Sequence, residues 1–262
     1  MLTAMNKFQE KLLSLYEEDN AKYSPFALWK MQKMTGEGEA FYLPEHECYY
    51  AIRNKQLLFY ASPDEKCHIP LEELNMLDFI CVKKDIFDTF RDGLEGFDIS
   101  YGSSLFYDFN YIPQESASKK YEAVDFDFNA ESHFQTAADI INGDENGGFT
   151  PQRLKRWMAF PSFDTSLWFF VKDIEAQKLV AVGISTFHKT ALETDLDWIY
   201  VLPEYQGKGA GRFLIEEIIG RSVNRSKVIR VGGVASFYKK CGFYDREYWG
   251  FAVKPGFSMN EQ

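Results

Sequence analysis

The stretch "YVLPEYQGKGAGRFLIEEI", Tyr200 to Ile218, sets Gly207, Gly209 and Gly211 between an apolar run and an amphipathic segment. Ala210, Phe213, Leu214 and Ile218 recur at i, i+3, i+4 and i+8, which predicts a helix with one apolar face. Glu217 stands four residues before Arg221 on its exposed side. Glycines opening such a helix leave backbone N–H groups unobstructed at its positive end, a ready cradle for an anion. Lys208 and Arg212 add positive charge there. The plainer reading is a tight turn that needs flexible backbone, and spacing alone does not choose between the two.

Spacing does exclude two phosphate motifs. A Walker loop needs Ser or Thr after Gly-Lys, and Lys208 is followed by Gly209. A dinucleotide fingerprint needs G-x-G-x-x-G directly after a strand, whereas Pro203, Glu204 and Tyr205 intervene here before a G-x-G-x-G run.

Outward from the loop, "LETDLDWIYV" reads as a strand before it and "KVIRVGG" as one after it, leading to a helix near Ala235. "YEAVDFDFN", "SLWFFVKD" and "LVAVGISTFH" read as further strands. "AESHFQTAADIIN" and "TPQRLKRWMAF" read as helices, the second with Thr150 as N-cap and Pro151 in its first turn. Short turns between strands favour a mixed, largely antiparallel central sheet flanked by helices, an α/β chain of the α+β type. The polar segment 111–126 suggests a boundary, with an N-terminal α/β domain at 1–118 and a second domain at 119–262. In the first domain, "CYYAIRNKQLLFYAS" and "LDFICV" read as strands and "PLEELN" and "KKDIFDTFRDGL" as helical pieces. Its first thirty-odd residues look helical, with Leu12, Leu13, Tyr16 and Trp29 facing inward.

At 262 residues with 45% hydrophobic content, the chain has enough apolar material for two cores. A net charge of −10 leaves no basic stripe for phosphates, so nucleic acid is not expected as a partner. No stretch approaches the run of about 18 apolar residues that a membrane span needs, and the N-terminus lacks the apolar core of a signal peptide. Cysteines at 48, 67, 81 and 241 show no paired spacing, so we expect reduced thiols, a cytoplasmic protein and no metal site.

"VLPEYQGKGAGR", 201 to 212, resembles the signature of the GNAT-superfamily N-acetyltransferases, matching at Val201, Pro203, Gln206, Gly209 and Gly211. "SFYKKCGF", 236 to 243, is similar to the family's second marker, with Tyr238 and Gly242-Phe243 in place. The resemblance covers 121–262 and implies binding of acetyl-coenzyme A as cosubstrate. The backbone amides of Gly207, Lys208, Gly209, Ala210, Gly211 and Arg212 would hold its pyrophosphate, with Gln206 leading into them. The strand near Ile199 and Val201 would pair with its pantetheine arm. One departure stands out: Gly232 and Gly233 occupy a place where many members carry Asn.

The resemblance also implies a transfer to a primary amine by direct attack, with Tyr238 protonating the departing thiolate and the Val201 N–H facing the oxyanion. Family members often carry the general base four or six residues before that Val, here Asp197 and Asp195. Strand alternation would put Asp195, Asp197, Ile199 and Val201 on one face. An aspartate with an ordinary pKa of about 3.9 is a weak base, so the alternatives for either residue are to hold a cationic amine or to be a solvated surface group. His188 and Glu193 are weaker candidates. The acceptor is expected to be a small polar amine. The alternatives are a CoA-binding sensor without turnover and a transferase for protein amino groups. Finally, "SLFYDFNY" (104–111) faintly echoes "SFYKKCGFY" (236–244). The N-terminal half is therefore either a degenerate copy of the same fold, lacking the CoA loop, or an unrelated domain rich in aromatic residues.

Overall fold

The computed structural model describes residues 4–20, 22, 25–28, 30–32, 39–112, 119–143, 148–233 and 235–257. They form two compact units, Met1–Ser104 with Asp245–Gln262, and Leu105–Tyr244.

In the first unit, α1 (Ala4–Glu18) buries Phe8, Leu12, Leu15 and Tyr16. Leu13, expected inside, is half-buried, because Leu15 completes the apolar face; Trp29 lies outside the described residues. Strands β1 (Glu39–Leu43), β2 (Cys48–Arg53) and β3 (Gln56–Ala61) pair antiparallel in sequence. Asn54 and Lys55 turn the β2–β3 hairpin with φ of 46° and 59°, the left-handed pair that a two-residue turn requires. A short helix, α2 (Leu71–Asn75), then carries the chain to β4 (Phe79–Lys83), parallel to β3. After α3 (Lys84–Phe87) comes β5 (Asp98–Tyr107).

The free edge of β4 is taken by the chain's last strand, β11 (Phe243–Val253), which runs antiparallel to it from Trp249↔Lys83 to Val253↔Phe79. Trp249 is buried and its indole N–H donates to Ser104 Oγ at 2.9 Å. A Cβ at Gly250 would stand 2.2 Å from the Phe87 ring, so only glycine fits there. These bonds place 245–257 with the first unit, whereas the composition shift suggested a single break at 118. Composition reports where the chain is polar; strand pairing depends on partners far away in sequence. Of the linker, residues 113–118 lie outside the described residues.

The second unit holds β6 (Tyr121–Asp125), α4 (Glu131–Asn142), α5 (Pro151–Trp157), β7 (Trp168–Asp173), β8 (Lys178–His188), β9 (Glu193–Val201), α6 (Ala210–Ser222), β10 (Val228–Val231) and α7 (Ala235–Lys239). Its strand order is β5-β10-β9-β8-β7-β6, antiparallel throughout except for β9 and β10. The Thr150 hydroxyl accepts from the Arg153 N–H at 3.2 Å, capping α5 as expected. Apolar clusters cover both faces. Leu214, Ile215 and Ile218 of α6 pack with Leu196 and Ile229 on one; Phe134, Ile141, Leu154, Trp168 and Phe170 lie on the other.

Helix α6 comes so close to the sheet that a Cβ at Gly183 would sit 2.7 Å from Leu214 Cδ1. Gly183→Val is therefore expected to destabilise the protein by about 1–3 kcal/mol through overpacking. Urea unfolding checks this, and an unchanged midpoint would show that Leu214 gives way freely.

The two units share a strand pattern. In each, two antiparallel pairings precede a parallel pair joined by a helix, β1-β2-β3 with β4 and β7-β8-β9 with β10. Beyond the parallel pair each accepts one antiparallel strand, β11 in the first unit and β5 in the second. The pattern matches where the sequence echo does not. Phe106 and Tyr107 end strand β5, while Phe237 and Tyr238 lie in helix α7, whose topological counterpart is α3. The helix between the parallel strands has 5 residues in the first unit and 13 in the second, and no glycine precedes the shorter one between Ser62 and Pro70.

Candidate active site

The parallel pairing of β9 with β10 ends at Leu196↔Val231, yet β9 runs on to Val201. Past Leu196, β9 hydrogen-bonds to β8 on one side, while its other edge has no strand partner among the described residues. Unpaired backbone on a strand edge is available to a ligand that presents amides.

A bulge lies at the point of separation. Ser185 pairs with Leu196 and Ile184 with Trp198, which leaves Asp197 as an extra residue on β9. The extra residue breaks the alternation expected from sequence. Leu196, Ile199 and Val201 share the α6 face, while Trp198 packs with the cluster under α4 and α5. Asp197 Oδ2 accepts a hydrogen bond from Thr186 Oγ1 at 2.8 Å. Asp195 is only 5% exposed and lies in register between Thr186 of β8 and Arg230 of β10, so it is no solvated surface group. Arg230 is buried too, 3.4 Å from Glu193 Oε1 and with its guanidinium carbon 5.1 Å from the Phe106 ring centroid. Glu193 is thereby a structural partner of Arg230. His188 is half-buried, which depresses its pKa, and its Nδ1 accepts the Ala191 N–H at 3.1 Å.

Beyond Val201, Pro203–Tyr205 make one tight turn, and Gln206 Nε2 donates to the Val201 carbonyl at 3.2 Å. Gly207 and Gly209 have φ of 71° and 94°, left-handed values that glycine adopts without strain. Gly209 is the N-cap of α6, and no side chain satisfies the N–H groups of the first turn. The space around the missing Cβ of Gly207 is open. Tyr121 of β6 donates its hydroxyl to the Lys208 carbonyl at 3.0 Å and so anchors the loop. The two basic residues differ. Lys208 is exposed, 5.6 Å from the Tyr205 ring centroid, whereas Arg212 Nε pairs with Glu216 at 2.7 Å, one turn along the helix. A Cβ at Gly211 would stand 3.2 Å from Phe237, so this glycine serves the approach of α7 to α6.

Tyr238 of α7 is buried between Phe237 and Phe243, with ring centroids at 5.1 and 5.6 Å. A Cβ at Gly233 would meet its Cε2 at 2.7 Å, which gives a steric reason for glycine at this position. Burial, with smaller contributions from Cys241 and Tyr200, pushes the Tyr238 phenol well above its ordinary pKa. The Cys241 thiol is likewise pushed up, to about 11, by burial. The sequence did not single out Thr186, Arg230 or the bulge, although one arginine in the apolar run "KVIRV" was a signal. Among the described residues no group of three or more His, Cys, Asp or Glu side chains forms a metal site, and no helix is long and apolar enough to cross a membrane.

Residues 165–245 match the family described as acetyltransferase (GNAT) domain. Among solved structures, the chain is similar to a GCN5-related N-acetyltransferase from Sphaerobacter thermophilus, at 13% identity and TM-score 0.61 over 85% of this chain and 82% of that one. It is similar also to a GNAT-family acetyltransferase from Colwellia psychrerythraea, at 14% identity and TM-score 0.61 over 95% and 97%. A GCN5-related N-acetyltransferase from Kribbella flavida aligns at 10% identity and TM-score 0.56 over 88% and 95%. At such identities the likeness is one of fold. No curated protein matches the chain by sequence.

Proposed function

We propose that this chain, whose residues 165–245 match the acetyltransferase (GNAT) domain family and whose fold resembles that of GNAT-family structures, moves an acetyl group from acetyl-coenzyme A to a primary amine of a small molecule, by direct attack. One observation carries the proposal. The open edge of β9 leads directly into a glycine-capped helix whose first-turn N–H groups lack a side-chain cap. A ligand with amides followed by a diphosphate fits that succession, its amides along Ile199 and Val201 and its diphosphate at Gly207 to Arg212. Acetyl-CoA supplies the thioester; the chain's own groups orient it and move protons.

In this reading Asp197, held by Thr186 at the bulge, takes the proton from the attacking ammonium, directly or through water. The Val201 N–H faces the developing oxyanion. As the C–S bond breaks, the Tyr238 hydroxyl donates a hydrogen bond to the sulfur. The raised pKa makes full proton transfer from the phenol to a thiolate unfavourable, so stabilisation of the thiolate is the larger part of its role. Asp195 stays in the Arg230 network as support. A cytoplasmic location accords with this cosubstrate and with the free cysteines 48, 67, 81 and 241.

Calorimetry with acetyl-CoA and a thiol-release assay across an amine panel test the reading. We expect binding and amine-dependent release. Absence of binding would refute it, and binding without release from any amine or peptide would mark a CoA sensor. Gly209→Val is expected to weaken acetyl-CoA binding by about tenfold, since a branched residue at left-handed φ costs about 1–2 kcal/mol and must shift the loop. Calorimetry of the folded variant measures this, and wild-type affinity would remove the loop from the site. Gly211→Val would act through Phe237 and is the less direct test.

A further inference from the structure

Arg153 is a half-buried arginine of the second unit with no acidic partner among the described residues. Arg212, Arg221, Arg225 and Arg230 each pair with a carboxylate, and Arg156 is exposed. Arg153 is half-buried, yet among the described residues its guanidinium meets no carboxylate, carbonyl or hydroxyl. It rests on aromatic faces instead, its central carbon 4.3 Å from the Phe149 centroid and 5.7 Å from that of Trp198. In a chain of net charge −10 with 39 acidic residues, a half-buried arginine without a carboxylate partner among the described residues is unexpected.

The rings beneath it form a rigid bed. Phe149 and Trp198 meet edge to face at 4.4 Å, Trp157 lies 5.8 Å from Trp198, and Tyr200 stacks with Trp198 at 6.5 Å. A guanidinium lying face-down on aromatic rings keeps its in-plane N–H groups free, and those edges match a carboxylate in a two-point bond. The bed borders the reacting end of the site. Trp198 directly follows Asp197, and the bulge at Asp197 turns the Trp198 side chain toward α4 and α5, where Arg153 is.

We propose that the acceptor amine carries a carboxylate, bound by Arg153 on the Phe149–Trp198 bed while the amino group reaches Asp197. The proposal rests on the acetyl-transfer reading and narrows its substrate class from small polar amines in general to amino-acid-like amines. The charge of the whole chain sets its long-range field; Arg153 on its aromatic bed sets what docks beside the bulge.

The test separates the two readings by measuring binding apart from turnover. A panel of N-acetyl-amino acids is titrated against the corresponding N-acetyl-amino acid amides, which differ only in the carboxylate, with tryptophan fluorescence and calorimetry as readouts. At least one acid is expected to bind tenfold or more tightly than its amide. Arg153→Gln should abolish the difference, Arg153→Lys should keep part of it, and acetyl-CoA affinity should stay at the wild-type value in both. Acids and amides binding alike, or none binding, would overturn the proposal. So would a selectivity that survives in Arg153→Gln, or an acetyl-CoA affinity that falls with it, which would assign Arg153 to the cosubstrate. Failure of wild-type protein to bind acetyl-CoA while it selects acids over amides would refute acetyl transfer and leave the carboxylate site standing.

Discussion

Tyr238→Phe is expected to lower kcat by about 10²-fold, within the range removed with a general acid or its hydrogen bond, while acetyl-CoA affinity holds. The phenylalanine ring keeps its neighbours Phe237 and Phe243 and its place over Gly233, so loss of the hydroxyl is the whole change. The pH profile distinguishes this role from simple ionisation. Burial raises the phenol above its ordinary value of about 10, so Tyr238 remains protonated wherever the enzyme is assayed. Any alkaline limb below about pH 10 then belongs to another group and should persist in the variant at reduced height. Unchanged turnover would return Tyr238 to the core. A limb that disappears with the hydroxyl would show the phenol ionising at its ordinary value.

The parts of this site legible in the sequence are the local ones. Gly207 and Gly209 need left-handed backbone, and α6 follows with its apolar face in phase, so the single continuous stretch 207–218 contains the whole physical requirement. Tyr238 and Gly242-Phe243 were legible as a motif for the same reason. Register was not legible. One additional residue opposite Ile184 and Ser185 moves Leu196 onto the face of Ile199 and Val201, and nothing in "ETDLDWIYV" marks Asp197 as that residue. The destination of the last strand was hidden as well. Trp249 to Val253 pair with residues 79–83, a separation at which chain composition carries no information. Arg153 reads as an exposed helical arginine until Phe149 and Trp198 are seen beneath it, brought together from a loop and a strand.

Register also decides the largest effect on stability. Arg230 is brought between Asp195 and Phe106 by strand pairing on both sides, and its guanidinium faces Glu193, with side-chain exposures of 2% and 0%. Within a buried pair of this kind the attraction offsets little beyond the cost of burying both charges. What the arginine prevents is larger. Arg230→Met keeps the volume and the packing over Phe106 but takes the Arg230 charge away from the buried Glu193, at a cost of about 3–5 kcal/mol. For a chain of this size, that lowers Tm by on the order of 10 °C. Arg230→Met with Glu193→Gln removes the Glu193 charge as well and is expected to recover most of the loss, because the two sites are in direct contact and do not act additively. The measurement is thermal unfolding of the two single variants and the double, compared with wild type. Simple addition of the single effects would show that Arg230 acts through its hydrocarbon stem on Phe106 instead of through Glu193. The same series bears on catalysis, because β9 and β10 are joined only from Glu193↔Val228 to Leu196↔Val231. Loosening that short pairing shifts Asp197, so the stability lost in Arg230→Met should be accompanied by a fall in kcat that the double variant restores.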